Sequence, residues 1–361
     1  CSPCHESAVY ARYMPKAPPL LDPFKKPASE PNPPTSALLV YNPAGGKKRA
    51  AKLADTIVLP LLKQAGIAVT VETTKHAGHG VELGRTLDLS SVDALLVMGG
   101  DGTLGEVLDG FLSRDDGAAA RTTVGFIPAG TGNSYMREVL GVPASGAAVG
   151  AAVHAAVEAI VGGRSRAVDC QQLDMTGLDG KPLRRCSINT VMAGFGPDAN
   201  AVAERRRWLG SMRYSVSIKT EILKLPWRKK LPCSLSVDGG SPQEMEDLFL
   251  FSCFVNKHTG VRHRLAPYAQ LDDGLLDLAY TTRPLRSIAT AAKVDEMIKG
   301  GGKHVHATSL LNVQQASRVR LETDTPARLM VDGDIIGFTP LDVAVRAEAF
   351  RLFTPASPAP S

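Results

Sequence analysis

Aromatic residues are scarce, at 5% of the 361-residue chain with two tryptophans. No stretch interleaves them with basic residues, which argues against single-stranded nucleic-acid binding. Excess charge of one sign is also lacking: 41 Lys and Arg against 36 Asp and Glu leave a formal net charge of +5. That balance suits anionic ligands or an anionic membrane surface and does not single out nucleic acid. Six cysteines in so long a chain make no disulfide framework, and free thiols suit a reducing, cytoplasmic compartment. Cys1, Cys4 and His5 are spaced like metal ligands, but no second ligand cluster follows them. Long apolar runs are missing too. The nearest, AAVGAAVHAAVEAIVGG, carries His154 and Glu158 and reads as a helix at a small-residue interface, not a membrane span. The sequence begins at Cys1 and not Met, which leaves a preceding targeting segment open. The common nucleotide fingerprints are absent. GGKK lacks the spacing and hydroxyl of a P-loop, and GTGNSY lacks the third glycine of a dinucleotide turn.

What is present has a clear order. Residues 1–36 hold nine prolines and little apolar periodicity, so they read as a disordered arm, and the tail 355–361 reads the same way. Residues 37–165 alternate strand-like runs (ALLVYN, IAVTVETT, DALLVM, TTVGFIP) with helical ones, such as Ala50, Leu53, Ile57 and Leu61 on one face. This predicts an α/β nucleotide-binding domain, a parallel sheet flanked by helices with its ligand site at the carboxyl ends of the strands. Residues 166–354 carry many short β-type runs separated by turns, which predicts an antiparallel β-sandwich domain, with helical interruptions near 201–224 and 285–299. His76 and His79 in KHAGHG read as surface or helix-start residues. GGGKHVHATSL, 300–310, reads as a flexible connection.

Three glycine-rich turns follow three strands of the first domain, at 42–46, 99–103 and 130–133. Glycine lets a ligand approach the backbone, and successive amides at a helix start cradle an anion, for which a nucleotide phosphate chain is the natural choice. Asp101 stands among glycines where it fills no core. It makes sense beside phosphates or an attacking hydroxyl.

NPAGG, MGGDGTLGEVLDG and IPAGTGNS resemble the successive motifs of the diacylglycerol kinase catalytic-domain superfamily, which includes diacylglycerol, sphingosine, ceramide and bacterial lipid kinases. The resemblance continues through AGFGPDA, RRRWLGSMRY, LAPYAQLDDGLLDLAY and VDGDIIGFTP, over about residues 37–352. Gly-Gly-Asp-Gly-Thr also occurs in NAD kinases and phosphofructokinases; the later motifs decide against those families. The resemblance implies ATP and Mg²⁺ as cofactors, bound between the domains. It implies that Asn42, Gly45, Gly46, Gly99, Gly100, Gly102, Thr103, Gly130, Thr131, Gly132 and Asn133 line the nucleotide pocket, with Glu106 supporting it. Arg206 and Arg213 would reach the phosphates. Asp101 is the expected general base or orienter of the lipid hydroxyl. Asp332 and Asp334 would lie near nucleotide and Mg²⁺, and Asp334, one methylene shorter than the family's glutamate, is the second candidate base. Asp272, the Leu275 carbonyl and Asp277 match the ion site of the bacterial members, a structural Mg²⁺ held by oxygen ligands. Ser134, where many bacterial relatives carry Asp, points toward the eukaryotic lipid kinases. Asn200 stands where sphingosine kinases carry the aspartate that recognises the sphingoid head, with Asp198 two residues away as a substitute. Nine Lys/Arg against two Glu between residues 204 and 230 suit an anionic membrane.

The resulting expectation is an ATP-dependent lipid kinase, cytoplasmic and peripheral at membranes, acting on a primary hydroxyl of a sphingoid base or diacylglycerol, with no nucleic-acid partner. A soluble-substrate kinase of the NAD-kinase kind and a non-catalytic lipid-binding regulator are the other two readings.

Overall fold

The computed structural model describes residues 22–130, 132–144, 146–206, 208, 212–258, 264–299, 304–307 and 310–356. Strands β1 (Ser36–Tyr41), β2 (Ala68–Thr73), β3 (Ala94–Gly99) and β4 (Thr123–Pro128) form a parallel sheet in the order β4-β3-β1-β2. Every residue of β3 is buried, as expected for a strand covered on both faces. The covering helices are α1 (Gly45–Leu53), continued by a π turn (Ala54–Val58) into α2 (Leu59–Gln64), then α3 (His79–Thr86), α4 (Asp101–Leu112), α5 (Ala118–Arg121), α6 (Ser134–Leu140) and α7 (Val149–Gly162). Helices α3 and α4 pack backbone to backbone. A Cβ at Gly84 would lie 2.1 Å from the Val107 carbonyl oxygen, and one at Gly110 the same distance from that of Val81. Only glycine permits this approach, and it fixes the direction in which α4 leaves the sheet edge.

The second unit is antiparallel. It contains β5 (Ser165–Gly177), β6 (Pro182–Ser187), β7 (Thr190–Gly194), β8 (Cys233–Val237), β9 (Gln243–Met245), β10 (Leu250–Phe254), β11 (Leu276–Thr281), β12 (Leu311–Ala316), β13 (Arg318–Thr323), β14 (Arg328–Val331) and the 20-residue β15 (Asp334–Phe353). β15 pairs antiparallel with β5 and touches β4 in parallel through Leu352 and Val124, so one long strand joins the two sheets. The sandwich interior is filled by Leu173, Val191, Phe251, Leu278, Leu321 and Leu341 among others. A separate apolar layer, including Met192, Phe249, Phe254 and Met330, lies beneath helices α8 (Phe195–Arg205), α9 (Met212–Leu223) and α10 (Ile288–Lys299).

Two expectations change. Residues 22–35 are not a disordered arm. Phe24 is buried in the α/β core with the Arg166 guanidinium 4.4 Å over its ring, and the Ser29 and Asn32 amides donate to Ser165 and Gly163 carbonyls at 2.8 and 2.9 Å. A single apolar anchor among prolines leaves no periodic signal. Residues 1–21 and 357–361 lie outside the described residues. Within 300–310, His304–Ala307 form a helical turn, and buried His304 places Nε2 3.1 Å from the Leu265 carbonyl oxygen.

Candidate active site

The three glycine turns meet at the carboxyl edge of the parallel sheet. The Ala129 and Gly130 amides both donate to the Gly99 carbonyl, at 2.7 and 3.0 Å, and the Asn42 amide donates to Met98 at 3.4 Å. A Cβ on Gly130 would lie 2.4 Å from the Gly100 Cα, so the second and third turns cross where neither can carry a side chain. Thr103 packs under Gly99, where a Cβ would come within 2.7 Å of its own. α4 has no side-chain cap, which leaves its first amides suited to an anion. Gly45 begins α1, its amide donating to Asn42; Gly46 follows it there, while Thr131 lies outside the described residues. Gly132 sits beside Asp101, whose Oδ2 would be 3.9 Å from a Cβ there.

Asp101 opens α4, but its carboxylate serves α6. Oδ2 accepts the Ser134 amide at 2.8 Å and Oδ1 the Tyr135 amide at 3.2 Å. It therefore caps a helix from outside, a favourable place for a negative charge. Burial nonetheless raises its pKa, against the lowering effect of those two amides. With both oxygens engaged, Asp101 is better suited to holding the 130–133 turn than to taking a proton.

Asp332 and Asp334 flank Gly333 at the β14–β15 turn. Asp332, in the left-handed region at φ 49°, accepts the Ser187 hydroxyl at 2.7 Å and the amides of Ile188, Asn189 and Thr190 at 3.0–3.2 Å. Burial pushes it up to about 6. It pins the turn against α4, with Oδ2 3.2 Å from where a Gly105 Cβ would stand. Asp334 is exposed, with Oδ2 3.7 Å from the Cβ position of Gly102. Absence of a side chain at Gly102 keeps this space open above α4.

Several expected ligands also make structural hydrogen bonds. Asn133, fully buried at φ 49°, accepts the Gly130 amide at 2.9 Å and donates to the Gly130 and Ala144 carbonyls, so it shapes the turn and has no amide hydrogen left for nucleotide. Glu106 accepts the Gly78 and Gly80 amides at 3.0 and 3.2 Å, binding the start of α3 to α4. Asn42 Oδ1 accepts the Ala44 amide at 2.9 Å, closing an Asx turn. Arg206 donates to Thr220 at 3.0 Å, joining α8 to α9; the side chain of Arg213 lies outside the described residues. Asn200 donates to the Gly333 carbonyl at 2.9 Å, and Asp198 faces Arg328 at 3.5 Å. Asn200 thus stands beside the Asp334 turn.

At the expected structural ion site the carboxylates of Asp272 and Asp277 are both buried. Both Asp272 oxygens accept main-chain amides, from Lys25 at 2.6 Å and Lys26 at 2.8 Å. The Leu275 amide donates to Asp273 at 3.1 Å. Asp277 is buried with Oδ2 unpartnered, and burial, reinforced by Asp273, pushes it up to about 8. The folded chain therefore holds this proton above the ordinary 3.8, so the stability it contributes is full below 3.8 and is lost as pH rises through about 8. Asp277→Asn is expected to flatten that loss, whose slope approaches about 1.4 kcal/mol per pH unit. Urea unfolding of both proteins at several pH values between these limits measures it. Among the described residues, His76, His79 and Glu82 do bring three potential metal-ligand atoms within 4.8 Å of one another. The His79 Nδ1 accepts the Lys75 amide at 3.1 Å, however, consistent with a helix-start role.

Sequence reasoning missed two buried charge clusters that bind the units together. Glu138 on α6 accepts the Lys257 ammonium at 2.8 Å and lies 2.6 Å from His258 Nδ1. Asp109 on α4 accepts the Arg185 guanidinium at 2.5 Å and the Cys186 amide at 2.7 Å. Their partners lie 76–120 residues away, beyond any local pattern.

Residues 36–173 match the diacylglycerol kinase catalytic domain, and residues 189–354 match the YegS C-terminal NAD kinase beta sandwich-like domain. The chain thus carries, in succession, a diacylglycerol kinase catalytic domain and a YegS-type C-terminal domain. It is 32% identical to sphingosine kinase 1 of Arabidopsis thaliana over 51% of its own length and 36% of that protein's. It is 26% identical to a diacylglycerol kinase of Bacillus subtilis (strain 168), over 84% of this chain and 91% of that one. The match thus spans about a third of the length of the Arabidopsis sphingosine kinases. The crystal structure of a diacylglycerol kinase from Bacillus anthracis str. Sterne shares the fold at a TM-score of 0.63 and 20% identity, covering 89% of this chain and 97% of that one.

Proposed function

We propose that this chain is an ATP-dependent lipid kinase. The observation that carries the reading is the placement of an accessible carboxylate, Asp334, over the side-chain-free Gly102 at the point where three glycine turns converge. Phosphoryl transfer needs positioning and charge neutralisation more than covalent help. The glycine turns admit the phosphate chain. Asp334 takes the proton of the attacking hydroxyl, and Asp101 holds the 130–133 turn and α6 in register. Asp334, with Asp101 beside the glycine turns, would hold Mg²⁺, which when bound neutralises charge on the transferred group.

The acceptor is a primary hydroxyl on a lipid. The lipid tail is assigned to the apolar layer beneath α8, α9 and α10, which reaches the Asp334 turn through Met330. Incubation with labelled ATP, Mg²⁺ and mixed micelles of sphingosine or diacylglycerol tests the reading. Label in the sphingoid base would assign head recognition to Asp198, since the amide of Asn200 carries no charge to pair an ammonium. Label in diacylglycerol alone fits the amide.

No helix among the described residues is long and apolar enough to cross a membrane. Access to lipid is assigned to the α8–α9 edge. There Trp208 and Trp227 are each 81% exposed, near exposed Met212 and Leu223 and the basic Lys224, Lys229 and Lys230. Tryptophan favours the membrane interface, and basic residues there favour anionic lipid. The double change Trp208→Ala, Trp227→Ala is expected to weaken sedimentation with phosphatidylserine vesicles about tenfold or more, without lowering the unfolding temperature. Unchanged binding would remove this edge from the account.

A further inference from the structure

Asparagine is a weak helix former, because its amide competes for backbone groups. Asn200 nonetheless occupies the middle of the 11-residue α8. The start of that helix is fixed from behind. Gly194 precedes it at φ 82°, where a Cβ would lie 2.5 Å from the Phe249 carbonyl oxygen, and the Phe195 amide donates to the same oxygen at 2.8 Å. Pro197, Ala199 and Ala203 are buried, while Asn200 is half-buried and reaches the β14–β15 hairpin.

That hairpin is tight. Val331 pairs with Asp334, so Asp332 and Gly333 alone make the turn, at φ 49° and 103°. Two-residue hairpin turns commonly take positive φ at both positions. Different elements hold the two residues. The segment between β6 and β7 fixes Asp332: its carboxylate accepts the Ser187 hydroxyl and the Ile188, Asn189 and Thr190 amides, and its own amide donates to the Thr190 carbonyl at 2.9 Å. Gly333 is held from α8, where the Asn200 carboxamide donates to its carbonyl at 2.9 Å. Two residues earlier on the helix, Asp198 faces Arg328 at 3.5 Å, so α8 meets both the start of β14 and the turn that follows it. Asp334 is the first residue beyond that turn.

We propose that Asn200 is a positioning residue for phosphoryl transfer: its carboxamide holds the Gly333 carbonyl and so fixes where Asp334 stands against the acceptor hydroxyl. This rests on the lipid-kinase reading above. The role requires a hydrogen-bond donor. An ionised carboxylate at position 200 has no hydrogen to give. It would set its oxygens against the Gly333 carbonyl and add a negative charge beside Asp334. The near-isosteric Asn200→Asp exchange should therefore displace the turn more than Asn200→Ala, which only removes the bond.

Hydrogen exchange of the full chain, without nucleotide or lipid, reads the contact apart from any activity. Both variants are expected to speed exchange in peptides spanning residues 331–336, Asn200→Ala by about fivefold or more and Asn200→Asp further. Steady-state kinetics with the lipid that the wild type labels reads the consequence. Asn200→Ala should lower kcat about tenfold and Asn200→Asp about a hundredfold, the scale of a misplaced reacting group. KM for ATP and the unfolding temperature should hold. Unchanged exchange in both variants would overturn the proposal. So would an unchanged kcat with a shifted KM for lipid, the mark of a head-group contact, or a kcat that falls only in step with the unfolding temperature. A wild type that labels no lipid would defeat the kinase reading by itself, and the exchange rates would still decide whether Asn200 holds the turn.

Discussion

Asp334→Asn is expected to lower kcat for lipid phosphorylation by about 10²- to 10⁴-fold, the range for loss of a positioned general base. The unfolding temperature should not change, because Asp334 is exposed at a tight turn and Asn suits such a position. Nucleotide affinity should also hold, since the glycine turns and helix amides remain. Asp101→Asn should behave differently. Its two oxygens accept the Ser134 and Tyr135 amides, and an Asn there would aim an NH₂ group at one of them. Loss of a charge-assisted bond costs about 1.5–3 kcal/mol, so this variant should lose stability together with activity. Steady-state kinetics paired with denaturant unfolding separates the two. An Asp334→Asn enzyme of normal kcat would transfer the base role to Asp101.

Glu138→Ala carries the largest expected stability effect. The carboxylate is 6% exposed and faces Lys257 and His258, themselves buried, across the junction of α6 with the loop after β10. Burial alone would raise its pKa, but the His258 hydrogen bond and the Lys257 charge bring it below the ordinary carboxylate value. Removing the acid leaves a buried ammonium without its partner. Breaking such a pair costs about 3–5 kcal/mol, readable as a lower midpoint in urea. Because α6 also receives the Asp101 carboxylate, the loosened helix should raise KM for ATP in the protein that remains folded. A Glu138→Ala protein as stable as wild type would mean that the cluster is solvated in solution.

The parallel sheet and its three glycine turns were legible because their signal is local: apolar runs of strand length ending in glycine, spaced by amphipathic helices. The assignment of roles was less legible, because polar partners are set by tertiary approach. Asn133 and Asp332 carry motif positions expected to meet nucleotide, and each sits at φ 49° with its side chain hydrogen-bonded mainly to backbone groups. A motif records that such a residue is needed, not whether it touches ligand or builds the turn that does. The path of residues 22–35 was hidden for a related reason. Phe24 is one apolar residue among prolines, and the acid it brings amides to lies at the far end of the chain. The two amides that this segment brings to Asp272 were for the same reason not legible.

The most direct test is transfer of labelled phosphate from ATP and Mg²⁺ to micellar sphingosine, phytosphingosine, ceramide, diacylglycerol and monoacylglycerol, with NAD as the soluble control. Wild type and Asp334→Asn proteins are compared side by side. The account predicts a labelled lipid made by the wild type and lost in the variant, with NAD unlabelled. Wild-type protein that binds ATP but labels no lipid, or labels NAD instead, would contradict it.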